Sequence, residues 1–425
     1  MTPAPARVFY GWWIAATFAA VVFLSAGLRF SVGPFLKPMV ADLGLDRASF
    51  SLVISLELFL YGMLNPLVGR LVERLGARPI TVAGALILGV SVAASGLATE
   101  LWHLFVIQGL GIALGLSATG PVVGAAVISR WFIRRRATAL STIGSASMAG
   151  MSLLVPVVTW LILTVGWRGA YGVLGALVIA VLVPLALWVV RDSPEAMGLA
   201  PDGAAPESAP PPRGERTPLN AALQTMPFWQ LGGALFGCGF SMSLVASHGV
   251  PMLTDHGYHP MLASWALAVL GGSSMAGAMA LGVAGDRLGR RPVLAWLYGS
   301  RLVLFAGLFL VRDSPTALIL LALLGGTSMS GTQALGSALT ADIFGRFSVG
   351  SVFGTMFLLH QVGAALGSWL GGLMFELTGG YGAAFAMCCV LLGVGSLLSL
   401  AVDVRPCPAR LATAGRQASI EEVLS

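Results

Sequence analysis

The stretch Gly69-Arg70-Leu71-Val72-Glu73-Arg74-Leu75-Gly76-Ala77-Arg78 has a counterpart at Gly282-Val283-Ala284-Gly285-Asp286-Arg287-Leu288-Gly289-Arg290-Arg291. The residue numbers at which the two stretches start differ by 213, half the length of the chain, and we call this difference the repeat offset. A second pair, Gly166-Trp167-Arg168-Gly169-Ala170-Tyr171 and Gly380-Tyr381-Gly382-Ala383-Ala384-Phe385, differs by 214. Because two separate segments give nearly the same offset, the sequence predicts two related halves in parallel orientation. Such halves usually enclose a substrate-binding site near the membrane midplane.

The composition surrounding these stretches is that of a membrane protein. Hydrophobic residues make up 56% of the chain and charged residues only 10%, with a mean hydropathy of +0.86. A soluble chain carries about 25% charged residues, so a large soluble enzyme domain is excluded. The apolar runs are long enough for helices rather than barrel strands. We therefore predict an all-α membrane protein with twelve transmembrane helices, near 10–36, 48–70, 79–98, 101–129, 137–164, 168–190, 227–252, 262–284, 292–311, 315–340, 349–375 and 380–402.

One connection between the predicted helices is much longer than the others. The segment 191–226 contains seven prolines and few apolar residues, which is typical of an extended or disordered linker. We expect an N-terminal six-helix bundle at 1–190, a cytoplasmic linker at 191–226, a C-terminal six-helix bundle at 227–402 and a cytoplasmic tail at 403–425. The first apolar run starts near Phe9 and lacks a convincing cleavage site, so we interpret it as the first membrane helix.

The basic residues indicate the orientation. With a cytoplasmic N-terminus, 18 of the 24 lysines and arginines lie on the cytoplasmic side. The positive-inside rule then predicts that both termini and the linker are cytoplasmic. The net charge of +6 reflects this topology, so no nucleic-acid partner is invoked. We expect a multi-pass, monomeric protein of the cell membrane, the inner membrane in a bacterium.

The sequence shows no sign of a resident cofactor or metal. Its four cysteines have no ligand-like partners nearby, and its five histidines are dispersed, so neither a metal site nor an intramembrane enzyme is predicted. The glycine-rich stretches are not phosphate loops, because the only lysine, Lys37, is not in a Walker motif. Direct use of ATP is therefore not expected. A membrane sensor is less favoured, because no receiver domain accompanies the short tail.

The duplicated loop resembles the signature Gly-x-x-x-Asp/Glu-Arg-x-Gly-x-Arg of the major facilitator superfamily, and the resemblance extends over nearly the whole chain. It implies two six-helix bundles and alternating access. The acids and arginines of the loops are then expected to form a conformational latch, in which an acid at a helix end faces a neighbouring helix N-terminus. The expected latch residues are Glu73, Arg74, Arg78, Asp286, Arg287 and Arg290. A basic loop that serves topology alone is the alternative.

Two further motifs resemble the monocarboxylate and oxalate/formate porters within that superfamily. Tyr10-Gly11-Trp12-Trp13 opens the first helix, and Trp131-Phe132-Ile133-Arg134-Arg135-Arg136-Ala137-Thr138-Ala139 resembles the signature of their loop between helices 4 and 5. The sequence departs from the better-known members in helix 8, which lacks their carboxylate-binding arginine. The lysine of helix 1 in the animal members has no clear counterpart, unless Arg29 takes its place.

Ionisable residues inside membrane helices are costly and are therefore candidates for function. Arg29 lies well inside the outer boundary of helix 1, where its guanidinium could bind a carboxylate bidentately. Glu57 lies at a similar depth in helix 2 and is a candidate proton carrier. An ion pair between Arg29 and Glu57 is the structural alternative. The sequence does not choose between the two.

Two histidines complete the list of candidates for proton coupling. His360, beside Gln361, lies near the middle of helix 11, and His248 lies towards the outer end of helix 7. Histidine titrates near neutrality and can couple proton uptake to anion binding, although a packed histidine is the simpler interpretation. Arg301, in helix 9, is expected to be peripheral, because this helix braces the outside of the fold in the superfamily.

The predicted function is secondary active transport of small organic anions, monocarboxylates in particular, by proton symport or anion exchange. An efflux pump for hydrophobic drugs or metabolites is the alternative. Smaller polar groups at plausible depths are included in the predicted substrate site, although most helical hydroxyls bond only their own backbone. These are Ser117, Thr119, Ser273, Ser274, Gln333 and Gln361, and Arg29, His248 and His360 are also predicted to bind the substrate.

Overall fold

A computed structural model describes residues 9–132, 135–194, 197–200, 217–311, 314–329, 331–345 and 349–407. The described residues form helices and no β-strand. The helices of the first half are α1 Tyr10–Phe30, α2 Val32–Leu43, α3 Arg47–Leu75, α4 Ala77–Ser95, α5 Leu101–Leu104, a π-helix Phe105–Ile112, α6 Ala113–Thr119, α7 Pro121–Trp131 and α8 Arg136–Trp188. Those of the second half are α9 Leu219–Leu223, α10 Met226–Asp255, α11 Pro260–Leu288, α12 Arg290–Leu310, α13 Pro315–Met329, α14 Thr332–Phe344, α15 Val349–Thr378 and α16 Gly382–Ala401.

The twelve predicted spans all fall on these helices. Span 1 is interrupted at Ser31, span 4 at Gly120 and span 10 before Gly331. Spans 5 and 6 form the continuous segment α8, in which Gly166 has non-helical backbone angles and separates the two spans. In the described part of the chain, nine helical stretches are long and apolar enough to cross a membrane. The all-helical membrane fold is therefore confirmed.

The chain divides into two compact units. The first comprises Met1–Leu45 and Leu56–Ser208, and the second comprises Asp46–Ser55 and Ala209–Ser425. Most of the predicted linker, at 201–216, and most of the predicted tail, at 408–425, lie outside the described residues.

Backbone conformation follows the internal repeat. Three glycines of the first half have positive φ and recur one repeat offset later with the same property. The pairs are Gly44 with Gly257, Gly76 with Gly289, and Gly166 with Gly379. Gly166 and Gly379 both have φ of 72°. Their offset is 213, the same as for the first pair of sequence stretches, whereas the sequence comparison of the second pair gave 214.

Close helix packing follows the same repeat. In the first unit a Cβ on Gly150 of α8 would overlap the backbone of Phe23 in α1. In the second unit a Cβ on Gly363 of α15 would overlap the backbone of Phe236 in α10. Gly363 and Phe236 are the counterparts of Gly150 and Phe23 at the repeat offset, so both halves use a glycine to bring the same two helices together.

The two porter-like motifs of the sequence pack against each other in the first unit. Trp12 and Phe132 have ring centroids 5.0 Å apart, and Tyr10 and Trp131 lie 5.5 Å apart. The Tyr10 hydroxyl donates to the Val189 carbonyl, and the Trp131 indole donates to the Arg191 carbonyl. These aromatic residues therefore hold together the start of α1, the end of α7 and the end of α8.

Each of the duplicated loops contains a glycine with positive φ at the same position of the repeat. The described contacts of the loop residues differ between the two halves. Gly76 and Gly289, with φ of 88° and 90°, precede α4 and α12. Asp192 accepts from the Ala77 amide and so caps α4, a role that the sequence analysis missed. Arg290 pairs with Asp342 of α14 at 2.5 Å. The side chains of Glu73 and Asp286 lie outside the described residues, and those of Arg74, Arg78 and Arg287 are exposed.

Candidate functional site

A small cavity in the first unit contains the two ionisable residues that the sequence analysis placed at similar depth. Its polar lining consists of Arg29, Glu57, Gln108 and Tyr171, and the rest is apolar. The cavity measures about 30 Å³, which is enough for one or two water molecules.

Arg29 does not form the ion pair that was left open as an alternative. Its guanidinium lies over the ring of Tyr61, 4.8 Å from the centroid, and the side chain is only partly buried. Although Glu57 is within electrostatic range, the two residues are not among the ion pairs of 4.0 Å or less formed by the described residues. The stacking leaves the guanidinium edge available for a bidentate contact with an anion.

Glu57 is more deeply buried than Arg29. It is 5% exposed, and it lines the cavity beside the arginine. A buried carboxyl changes its protonation readily when a cation or a bound anion approaches or leaves, because few water molecules screen the change. Glu57 is thus a buried carboxyl with the Arg29 cation in electrostatic range.

Gln108 and Tyr171 complete this cavity and were missed by the sequence analysis. Gln108 belongs to the π-helix Phe105–Ile112, an irregularity that often occurs at functional sites. Its amide donates to the Tyr171 hydroxyl at 3.0 Å, while its Oε1 atom is buried without a hydrogen-bond partner. The signal in the sequence was an amide side chain within a continuous apolar run.

Ser117 and Thr119, predicted to line the substrate path, use their hydroxyls inside the first unit. Ser117 donates to the Ala113 carbonyl at 2.8 Å, and Thr119 donates to the Gly115 carbonyl at 2.9 Å. Thr119 also accepts from Ser25 at 2.9 Å. Both side chains are fully buried.

Ser273 and Ser274 of α11 make comparable contacts in the second unit. Ser274 donates to Leu270 and to Gly326, and Ser273 lies 3.2 Å from the Leu270 carbonyl and 3.4 Å from that of Ala322. These hydroxyls connect α11 to α13. Gln333, at the start of α14, is exposed.

His248 is packed on all sides within the second unit. It is fully buried, and its Nε2 atom lies 2.7 Å from the Ser368 carbonyl, which requires a proton on Nε2. The ring also lies 3.4 Å from the Ser51 hydroxyl, and a Cβ on Gly371 would overlap it. Its Nδ1 atom has no hydrogen-bond partner.

His360 and Gln361 of α15 lie side by side in the same unit, close to Cys238 of α10. His360 Nδ1 donates to Gln361 Oε1 at 2.9 Å, and its ring stacks on Phe357. His360 Nε2 and Gln361 Nε2 are buried without hydrogen-bond partners. The structure thus places these two consecutive residues near Cys238, and each keeps one side-chain nitrogen without a hydrogen-bond partner.

Arg301 corrects the expectation of a peripheral position. The residue is fully buried rather than extended towards the membrane surface. Its Nη atoms contact the Cys238 sulfur of α10 and the Ser328 carbonyl of α13. The expectation was drawn from the position of the whole helix in the superfamily, which does not say towards which side the Arg301 side chain points.

A cluster of charged and aromatic groups in the second unit joins the start of α3 to the ends of α10 and α15 and to Tyr381, which precedes α16. Arg47 Nη1 donates to Asp255 Oδ2 at 2.6 Å and to the Tyr381 hydroxyl at 2.7 Å, and the Glu376 carboxylate accepts from the Arg47 amide at 2.8 Å. The guanidinium also lies 3.7 Å from the centroid of Phe375. Arg47 is thus neutralised by a carboxylate and held in place by two aromatic rings.

Comparison with known proteins decides the family. The profile described as Major Facilitator Superfamily matches residues 18–311 and 230–424. The chain belongs to the major facilitator superfamily. It is a transporter of this superfamily and not an enzyme.

Relatives within the superfamily include transporters with named substrates. The chain is 28% identical to an uncharacterized MFS-type transporter, YcxA, of Bacillus subtilis over 86% of this chain and 88% of the relative. It is 29% identical to human monocarboxylate transporter 11 over 94% and 84%, and 26% identical to bovine monocarboxylate transporter 13 over 92% and 89%. The resemblance to the monocarboxylate branch is thereby confirmed.

A solved structure has the same fold. The crystal structure of a bacterial homologue of the human lysosomal transporter Spinster, in an inward-facing and unoccupied conformation, aligns with a TM-score of 0.69. The alignment covers 97% of this chain and 96% of the other at 16% identity, which establishes a shared fold and no shared substrate.

Proposed function

We propose that this protein is a secondary active transporter of small organic anions, monocarboxylates in particular, that works by alternating access. Proton symport and anion exchange are the two modes of coupling. The observation that carries the proposal is the cavity that Arg29 and Glu57 share without forming an ion pair. A cation held inside a membrane helix without a close counter-ion is costly unless a ligand uses it.

In this proposal Arg29 attracts and clamps the carboxylate. Its planar guanidinium has donors spaced for the two oxygens of a carboxylate, which lysine lacks. Gln108, whose amide already donates to Tyr171, and the Tyr171 hydroxyl lie in the same cavity and can orient a hydroxyl or keto group beside the carboxylate. Ser117, Thr119, Ser273, Ser274, Gln333, His248, His360 and Gln361 remain proposed members of the substrate path.

Glu57 is the proposed proton carrier. A protonated Glu57 removes a negative charge beside the position that the anion takes, so proton and anion binding favour each other. Anion exchange follows from the same arrangement when one carboxylate replaces another at Arg29. The names of the related monocarboxylate transporters support the substrate class.

The location and working cycle form part of the same proposal. Both termini and the linker are proposed to be cytoplasmic, in a bacterial inner membrane, because the basic residues concentrate on that side. Glu73, Arg74, Arg78, Asp286, Arg287 and Arg290 are proposed as the latch that stabilises one conformation. A monomer is the proposed functional unit.

A thermal-shift screen of the purified protein tests the substrate class. A ligand that prefers the native state raises the apparent unfolding temperature as its concentration increases. Lactate, pyruvate and other monocarboxylates are expected to raise it, and Arg29→Gln is expected to remove the effect. Shifts confined to lipophilic cations would support the efflux pump and overturn the anion proposal.

A further inference from the structure

Arg301 forms an unusual pair with a cysteine in the interior of the second unit. Its Nη1 atom lies 3.1 Å from Cys238 Sγ, and its Nη2 atom donates to the Ser328 carbonyl at 2.5 Å. Both side chains are fully buried. Among the ion pairs of the described residues, none joins Arg301 to a carboxylate.

The charge of Arg301 requires a counter-ion. A guanidinium remains protonated in proteins, and an uncompensated charge in a membrane interior is strongly unfavourable. Of the two groups that Arg301 contacts through its Nη atoms, only the Cys238 thiol can become an anion. The Thr332 hydroxyl, 3.3 Å from the sulfur, can donate to a thiolate as well. The pair is neutral when the thiol is ionised.

The internal repeat shows that the fold does not require this pair. The counterparts of Cys238 and Thr332 at the repeat offset are Ser25 and Thr119, which form the equivalent contact at 2.9 Å. The counterpart of Arg301 is Leu88, which is also fully buried. The first half thus has leucine at the position of Arg301 and serine at the position of Cys238. The guanidinium and thiol of the second half are therefore additions to the scaffold.

Spare hydrogen-bonding groups lie on Arg301 itself, on its neighbour Tyr298, on His360 beside Cys238, and on Gln361, which bonds to His360. Arg301 Nε, Gln361 Nε2, His360 Nε2 and the Tyr298 hydroxyl are all buried without a hydrogen-bond partner. Three of these groups carry hydrogens that can be donated at physiological pH, and His360 can join them when protonated. Such a concentration of unused donors around a cation is suited to an anion with more than one oxygen.

We propose that Arg301 is a second anion-binding residue, whose resting counter-ion is the Cys238 thiolate and whose ligand is a small carboxylate. When a proton binds the sulfur, an S–H bond forms and the carboxylate takes the place of the thiolate beside the guanidinium. The site gains one proton and one anion, so its net charge is unchanged. The thiol can then donate to the Met242 sulfur, 3.9 Å away. The carboxylate part of this inference rests on the proposed function.

The other titratable groups around Cys238 come from three helices. Tyr298 belongs to α12 together with Arg301, His360 to α15 and Cys388 to α16. None of them is a carboxylate that would compete with a bound anion. The proposal therefore assigns proton release and uptake at this site to Cys238, with His360 as the neighbouring base.

The infrared S–H stretching band tests the resting pair without any ligand. In a variant that keeps Cys238 alone, Cys388→Ala/Cys389→Ala/Cys407→Ala, we expect no S–H band at pH 7, because the sulfur is a thiolate. Adding Arg301→Gln to this variant should restore the band, and adding Arg301→Lys should leave it absent. Size-exclusion profiles confirm that each variant is folded. An S–H band in the resting variant with Arg301 present would overturn the pair, whether or not Arg301→Gln folds.

Lactate tests the exchange, with sodium chloride at equal ionic strength as the control. In the variant that retains only Cys238 and also carries Glu57→Gln, which removes the carboxyl proposed to take up a proton in the first unit, lactate should make the S–H band appear with one proton taken up per anion bound at Arg301, and sodium chloride should not. Cys238→Ser in this background should bind lactate without this proton uptake. Lactate binding that raises the unfolding temperature but leaves the band absent would overturn the exchange while the proposed function stands. Failure of every carboxylate to bind would refute the exchange and the proposed function together, and the band in the ligand-free protein would still report the resting pair.

Discussion

Asp255 and Asp42 occupy equivalent positions in the internal repeat, but their salt bridges differ. Asp255 pairs with an arginine from the other half of the chain, whereas Asp42 pairs with an arginine from its own half. Asp42 pairs with Arg168 at 2.9 Å, in the same half. The counterpart of Arg168 in the second half is Tyr381, which cannot neutralise an acid. Arg47 supplies the charge instead, at 2.6 Å, and donates to Tyr381 as well. Arg47, at the start of α3, thereby joins this helix to α10 within the second unit.

Removing either partner of this pair should lower stability more than breaking its counterpart in the first half. The side chains of Arg47 and Asp255 are 13% and 28% exposed, against 43% and 48% for Arg168 and Asp42. We expect Arg47→Ala to cost about 1–3 kcal/mol, because charged hydrogen bonds are lost. Asp42→Ala should cost less than about 1 kcal/mol, because water screens its pair with Arg168 and the bonds from Arg168 to the Gly96 and Ala98 carbonyls are kept. Apparent unfolding temperatures in detergent check the order. A larger loss for Asp42→Ala would contradict the interpretation.

Asp46 should stabilise the start of α3 in a pH-dependent manner. Its carboxylate accepts from the Ser49 amide at 2.6 Å and from the Ser49 hydroxyl at 2.8 Å, and the bond from the Ser49 amide lowers the pKa of Asp46. Because the folded-state pKa is lowered, the stabilisation is present above the unfolded pKa of about 3.9 and is lost as the pH falls through the folded value.

The variants Asp46→Ala and Asp46→Asn separate the cap from the charge. Asp46→Ala is expected to cost about 1 kcal/mol at pH 7, and Asp46→Asn less, because asparagine also caps helices. The difference in unfolding temperature between the wild type and Asp46→Ala, measured from pH 7 down to pH 3, should narrow as the pH falls below the unfolded pKa of about 3.9, and it should vanish only below the lowered folded-state pKa. A constant difference over this range would contradict a role for the carboxylate.

Glu57→Gln should separate anion transport from its proton dependence. The amide keeps the shape of the side chain and cannot carry a proton. We expect the variant to exchange carboxylates across the membrane while losing its stimulation by an inward proton gradient. Glu100→Gln, on an exposed loop, is the matched control and should behave like the wild type. Gradient-driven uptake by Glu57→Gln at the wild-type rate would assign the proton to another residue, with Cys238, His248 and His360 the next candidates.

Much of the fold could be predicted because membrane helices and a duplicated loop leave strong patterns in the sequence. The twelve spans, the two halves and the family all follow from apolar runs and from the repeat at Gly69–Arg78. The second pair of sequence stretches was aligned one position too far along the chain. The aromatic residues Trp167 and Tyr381 were matched, although Gly379, not Gly380, has the positive φ of Gly166.

The site was harder to predict, because side-chain contacts depend on which helix faces lie together. Arg29 and Glu57 were found as ionisable residues inside spans. Gln108 could have been found only as an amide within an apolar run, and its contact with Tyr171 and the cavity that they share became visible only in the structure. Arg301 was placed on the periphery, although a comparison with Leu88 across the repeat would have shown a charge at a packed position.

The orientation can be tested with fusions to the C-terminus. A green fluorescent protein fused after Ser425 should fluoresce, whereas alkaline phosphatase at the same position should be inactive, because the proposed C-terminus is cytoplasmic. A phosphatase fusion placed after Asp42, between the first two spans, is the matched control and should be active. An active phosphatase at Ser425 would reverse the proposed topology and the assignment of the latch loops to the cytoplasm.

Uptake of radiolabelled lactate into proteoliposomes tests the central claim most directly. The wild type should show saturable uptake that increases with an inward proton gradient or with internal carboxylate. Arg29→Gln should reduce uptake at least tenfold, and Arg168→Gln, which removes an exposed arginine of the same unit, should not. His360→Ala should also be impaired. Wild-type rates for every tested carboxylate in both Arg29→Ala and His360→Ala, or uptake of lipophilic cations with none of carboxylates, would contradict the account.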